Sequence, residues 1–135
     1  MKLYPITENH LYVKTFSKGR KAGTGRLTVF VLRDFKAEKL RRANPEKTYL
    51  NRVGLSVGKR NGNAVTRNRA KRLLREAYRS LDKDPGIRPG HLVVISAREP
   101  LAGSTLAEVT RDLARSLGKL GMLKTDAEPP APPQD

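Results

Sequence analysis

Residues 53–79 read VGLSVGKRNGNAVTRNRAKRLLREAYR, and this stretch decides the fold. Val53, Leu55 and Val57 alternate with Gly54, Ser56 and Gly58, the period of two that turns one row of a strand toward a core. Gly58-Lys59-Arg60-Asn61-Gly62-Asn63 then breaks the strand with glycine and asparagine, which signals a loop. A helix follows from Ala64 to about Leu81. Its Ala70, Leu73, Leu74, Ala77 and Leu81 recur at i, i+3, i+4, i+7 and i+11 as one core-facing stripe.

The opposite face of this helix carries the functional signal. At roughly 100° per residue, Arg67, Asn68, Lys71, Arg72, Arg75 and Arg79 share one sector away from the leucines. Arg67, Lys71 and Arg75 are four apart, a spacing at which like charges destabilise a helix by a few tenths of a kcal/mol per pair. Only Glu76 offers an internal counter-charge. A solvated face normally mixes signs, so an uncompensated one points to an external polyanion.

Composition agrees. The 135 residues carry 28 Lys+Arg against 13 Asp+Glu, a net charge of +15. Such an excess repels itself in a compact chain unless a polyanion is bound, and nucleic acid is the expected partner. A membrane surface fits less well, because the basic helix has no interfacial tryptophan and the chain has none at all. The length suits one domain. Without cysteine there are no disulfides and no thiolate metal sites. No apolar run reaches the ~20 residues of a membrane span, and MKLYPITENH lacks a signal peptide's apolar core, so a cytoplasmic protein is expected.

Outward from the central stretch, residues 6–19 read as a short helix with Thr7 as N-cap and Gly19 at its end. Tyr12 and Phe16, at i and i+4, share one face. Residues 26–32, RLTVFVL, read as a strand whose two rows are both largely apolar: Leu27, Val29 and Val31 against Thr28, Phe30 and Leu32. With helices on one face of the sheet, Phe30 points to the other as a candidate stacking platform for bases. The connection 34–51 offers helical turns over Lys36–Ala43 before Asn44-Pro45 stops them, with Arg41 and Arg42 as candidate RNA contacts. His91–Ala97 is a β-branched run, read as a buried strand, and Thr105-Leu106-Ala107-Glu108 is a capping box that opens a last helix. The domain spans 1–124, and the proline-rich 125–135 reads as a disordered tail.

No self-contained active site is legible. A protein-only nuclease needs clustered carboxylates for metal ions or paired histidines for acid–base work. His10 and His91 lie on different elements, and Asp82 and Asp84 are the only close acidic pair ahead of the proline-rich tail, in a turn. Gly23-Thr24-Gly25 lacks the later glycine and the βα context of a phosphate-cradling loop.

The segment GLSVGKRNGNAVTRNRAKRLLREAY closely resembles the signature region of the protein subunit of bacterial ribonuclease P, with Arg67-Asn68-Arg69 as that family's RNR motif. The resemblance implies a single α/β (α+β) sandwich in the order αβββαβα: a mixed four-stranded sheet, helices on one face and a left-handed βαβ crossover. It implies an RNA-binding subunit of the endonuclease that removes the 5′ leader from precursor tRNA, with catalysis and its Mg²⁺ residing in the RNA subunit. Carried over position by position, Lys59, Arg60, Arg67, Asn68, Arg69, Lys71, Arg72 and Arg75 bind the catalytic RNA. Tyr12, Phe16 and Phe30 hold the leader. Asn61 stands where the family commonly has an apolar residue, which is expected to loosen the loop. A structural RNA-binder of ribosomal type is the alternative, disfavoured by the unbroken KRNGNAVTRNRAKR block.

Overall fold

The structure, a computed structural model, describes residues 4–36, 39, 51–98 and 101–124. In chain order the elements are β1 (Tyr4–Pro5), α1 (Asn9–Lys18), β2 (Arg20–Gly23), β3 (Leu27–Arg33), β4 (Arg52–Ser56), α2 (Ala64–Lys83), β5 (His91–Ala97) and α3 (Leu106–Lys119). The expected order is present, with the two-residue β1 added at one edge. The sheet runs β1-β4-β5-β3-β2. β4 and β5 are parallel neighbours joined through α2, whereas β3 pairs antiparallel with both β5 and β2. The sheet is therefore mixed. Most of the 34–51 connection, Arg41 and Arg42 included, and the 125–135 tail lie outside the described residues.

Alternation along β3 and β5 splits the apolar residues between two cores. Leu27, Val29, Val31, Val93 and Ile95 face α2 and α3 together with Leu74, Leu81, Leu113 and Leu117. Leu32, Leu92 and Val94 face the other way, against Ile6, Leu11, Tyr12 and Phe30. The second core corrects the expectation that all helices share one face: α2 and α3 cover one side, and α1 lies across the opposite side. The apolar second row of β3 is the reason, since Phe30 and Leu32 need cover and α1 supplies it.

Two local expectations also shift. Helix α1 starts at Asn9 with Glu8, not Thr7, at the N-cap position. The backbone N–H of buried Ile6 donates to Val53 O (3.2 Å), which holds the chain extended past the point where Thr7 would cap. Gly19 does end the helix, and it does so with φ −72°, an ordinary backbone. What it supplies is room, because a Cβ there would lie 2.5 Å from Thr15 O and 2.9 Å from Val31 O.

Helix α2 runs one turn's fraction beyond its predicted end. Asn63 caps it, Oδ1 accepting from the Thr66 N–H at 3.0 Å. Its like-charge repulsion amounts to a few tenths of a kcal/mol per pair. Fully burying a leucine contributes about 1.5–3 kcal/mol, and α2 buries Leu74 and Leu81 beside Ala70, Ala77 and Tyr78. Packing wins by a wide margin, so the basic face is held as a helix.

Two polar networks fix the frame. The Arg26 guanidinium donates to Ser104 Oγ (3.1 Å), Asp112 Oδ2 (3.0 Å) and Glu108 Oε2 (2.9 Å), tying the β2–β3 turn to α3. The predicted capping box of α3 is formed in full, Thr105 with Glu108, and its backbone and hydroxyl donors hold the Glu108 carboxyl below the usual range. At the other end of the sheet, buried Asn51 donates to Tyr78 Oη (3.0 Å) and Arg88 O (2.9 Å) and accepts from the His91 N–H (2.7 Å). His91, its imidazole pushed by burial toward the neutral form, belongs to this frame.

Candidate nucleic-acid interface

The basic loop and helix come together as the sequence implies. Lys59 and Arg60 lie on an exposed 3₁₀ turn directly before α2, and Asn68, Arg69, Arg72 and Arg75 are exposed along the helix. Arg67 and Lys71 are half-buried and line a hollow of about 210 Å³ with Val57, Ala64 and Asn68. The Arg67 Nε is enclosed there with no acceptor among the described residues. Arg79 leans back to Glu76 at 3.4 Å, so that carboxylate is engaged toward the far end of the helix.

Asn61 corrects the expectation of a loosened loop. Its side chain is buried, and Oδ1 accepts from the Leu101 N–H at 3.0 Å, a residue forty positions away along the chain. The amide therefore pins the Lys59–Asn61 turn to a second 3₁₀ turn at Leu101–Gly103. An apolar residue there would leave the Leu101 N–H without this acceptor, while the Asn61 Nδ2 is itself buried with no partner among the described residues. The basic loop is anchored.

The three aromatics gather on the opposite face of the sheet. The ring of Tyr12 covers Gly54 so closely that a Cβ on residue 54 would sit 2.5 Å from the ring carbons Cε1 and Cζ. Phe16 and Phe30 meet edge to face, with centroids 4.8 Å apart and planes at 70°. Phe16 remains 39 % exposed, although α1 buries its neighbour Thr15 completely. Tyr12 and Phe30 are half-buried. One face of this cluster is thus packed and the other is open.

What lies beside the aromatics is visible only from strand register. Gly54, Val94, Phe30 and Lys21 form one row across β4, β5, β3 and β2. The next row, on the same face, is Ser56, Ser96, Thr28 and Gly23. Tyr12 and Phe16 stand over the first row, so the second is the floor of a trough whose wall is α1. Its half-buried floor residues are three hydroxyl side chains and a glycine. At the β4 end it opens toward the basic turn. Ser56, Ser96 and Thr28 were missed as site residues; the Gly54/Ser56 row of small residues in β4 was the one local sign of them.

A half-open aromatic ledge, a floor of hydroxyls and a cationic helix at one end are the parts that stacking and phosphate contacts to a single strand require. Comparison with known proteins makes this specific. The ribonuclease P family model matches residues 1–121. A ribonuclease P protein component from Oceanobacillus iheyensis is 36% identical over 123 residues, covering 91% of each chain. Another, from an Exiguobacterium species, is 38% identical over 112 residues, covering 83% of this chain and 85% of the relative. The Staphylococcus aureus RNase P protein superposes with a TM-score of 0.71 at 24% identity, covering 91% of this chain and 100% of that one, and shares the fold. The Thermotoga maritima protein does so at 0.60 and 20% identity, over 85% and 94%. The chain belongs to the ribonuclease P protein family.

Proposed function

We propose that this chain is the RNA-binding protein subunit of ribonuclease P, in which α2 and its preceding turn dock on the catalytic RNA and the aromatic trough holds the 5′ leader of precursor tRNA. The docking residues are Lys59, Arg60, Arg67, Asn68, Arg69, Lys71, Arg72 and Arg75; the leader residues are Tyr12, Phe16 and Phe30. The observation that carries the leader assignment is the half-open Phe16–Phe30 pair beside the hydroxyl floor. Leaders differ in sequence between precursors. Stacking and phosphate contacts tolerate that variation, whereas hydrogen bonds to base edges would select among them.

The chain's own contribution is binding and charge. Among the described residues no group of three His, Asp or Glu side chains is placed to hold a metal ion. The Mg²⁺ of the holoenzyme is assigned to its RNA, where it supplies the hydrolytic chemistry. The basic helix offsets repulsion between two polyanions brought together, and so lowers the Mg²⁺ the complex needs.

Phe16→Ala tests this reading. In the reconstituted holoenzyme it is expected to weaken precursor tRNA by about 1–3 kcal/mol, the contribution of one stacked base, while mature tRNA binds as before. Equal losses for both tRNAs would count against the trough.

A further inference from the structure

Helix α3 carries the same charge pattern as α2. Arg111, Arg115 and Lys119 are four apart and all exposed. At roughly 100° per residue they occupy a sector of about 80°, across the helix from buried Val109, Leu113 and Leu117. Like charges at this spacing weaken a helix. The acids of α3 are already engaged. Glu108 lies in the field of Arg111, but its carboxylate binds Arg26 (2.9 Å) and closes the capping box; buried Asp112 binds Arg26 as well (3.0 Å). Among the described residues, Arg111, Arg115 and Lys119 make no ion pair. At the foot of the helix exposed Arg20 donates from Nη1 to Leu120 O (3.2 Å) and adds a fourth cation.

This stripe shares a layer with the docking helix. α2 and α3 pack on one face of the sheet, and the axes of helices packed in this way lie about 8–10 Å apart. Each helix follows a 3₁₀ turn, and the Asn61–Leu101 hydrogen bond joins the two turns, so both helices start at the same end of the sheet. Arg67 and Lys71 face the Val57 hollow on one flank of α2, whereas Arg69 lies on the flank of Leu73, away from it.

We infer that α3 is a second docking helix for ribonuclease P RNA, with Arg111, Arg115 and Lys119 holding phosphates beside the segment held by α2. The inference rests on the docking reading of α2 and extends it across the helix layer. Catalytic RNA is the occupant because α2 and α3 present their cations from one layer, while the trough lies on the opposite face of the sheet. Steps of about 6 Å along the helix axis separate the three charges. They therefore follow one backbone and read no base.

The test measures binding of the full chain to ribonuclease P RNA over a salt series. Arg115→Ala, at the middle of the stripe, should weaken binding about eightfold at about 0.1 M monovalent salt and lower the salt slope by about 0.9. Arg115→Lys should restore both, because a phosphate contact here reads charge. Arg115 is exposed, so Arg115→Ala should keep the denaturation midpoint of the wild type. Lys14→Ala removes an equal charge from exposed α1 on the opposite face and should leave affinity nearly unchanged. A loss as large in Lys14→Ala overturns the inference, since it reports only net charge. The chain has no cysteine, so Arg115→Cys carrying a photo-crosslinker marks this position alone. With precursor tRNA bound to the holoenzyme it should crosslink to ribonuclease P RNA; a crosslink to the precursor alone, or to neither RNA, overturns the inference. Unchanged affinity in Arg115→Ala, beside a loss when Arg67, Lys71 and Arg75 are replaced together, overturns α3 and leaves α2 standing. No loss in either variant refutes the docking reading, and α3 with it.

Discussion

Replacing Arg67, Lys71 and Arg75 together with alanine is expected to weaken assembly with ribonuclease P RNA by roughly two to three orders of magnitude at about 0.1 M monovalent salt. The figure follows from counterion release. Each phosphate contact contributes about 0.9 to the salt slope on a duplex, or about eightfold in affinity at that salt, and the triple variant removes three. The stability of the free chain is expected to move the other way. The three side chains sit four apart with no acid between them, so alanine removes two repulsive pairs and improves helix propensity. RNA affinity measured across a salt series, beside the denaturation midpoint, separates the two effects. Lower affinity with an unchanged or higher midpoint marks these residues as contacts. A midpoint that falls in step with affinity would make them structural.

Gly54→Ala is the second large effect, and it acts through one methyl group. Its Cβ would lie 2.5 Å from Tyr12 Cε1 and Cζ and 2.6 Å from its Oη, so the ring or the whole of α1 must move. Overpacking of this kind typically costs about 1–3 kcal/mol. Because Tyr12 and Phe16 share a helix, the shift also displaces the Phe16–Phe30 ledge. Precursor affinity should therefore fall more than mature tRNA affinity, alongside a lower denaturation midpoint. Adding Tyr12→Ala makes room for the methyl, and the double variant should be more stable than the sum of the single losses allows. Strict additivity would mean that Tyr12 does not press on Gly54.

The parts of this fold legible in sequence are those whose signal is local. The stripe from Ala70 to Leu81, the alternation in RLTVFVL and the Thr105 capping box each lie within one element, and each was found. The basic face of α2 was legible for the same reason, since helical periodicity alone separates it from the core. The trough floor was not. Ser56, Ser96 and Thr28 are neighbours only because β4 pairs in parallel and β3 in antiparallel with β5, and register is a property of pairs of strands. The place of α1 failed differently. Phe30 and Leu32 showed that the second face of the sheet needed cover, and a helix on that face was the cover overlooked. The expectation that Asn61 loosens the loop, drawn from the apolar residue common at that place in the family, fails because its partner, the Leu101 N–H, lies in a distant turn.

The central claim, that this chain completes a ribonuclease P whose chemistry belongs to RNA, is tested most directly by precursor-tRNA cleavage at limiting Mg²⁺. The arms are the protein alone, bacterial ribonuclease P RNA alone, and the two together. The account predicts cleavage at the mature 5′ end in the mixture and none in either single arm. Cleavage by the protein alone, or a mixture no faster than the RNA despite tight salt-sensitive binding, would contradict it.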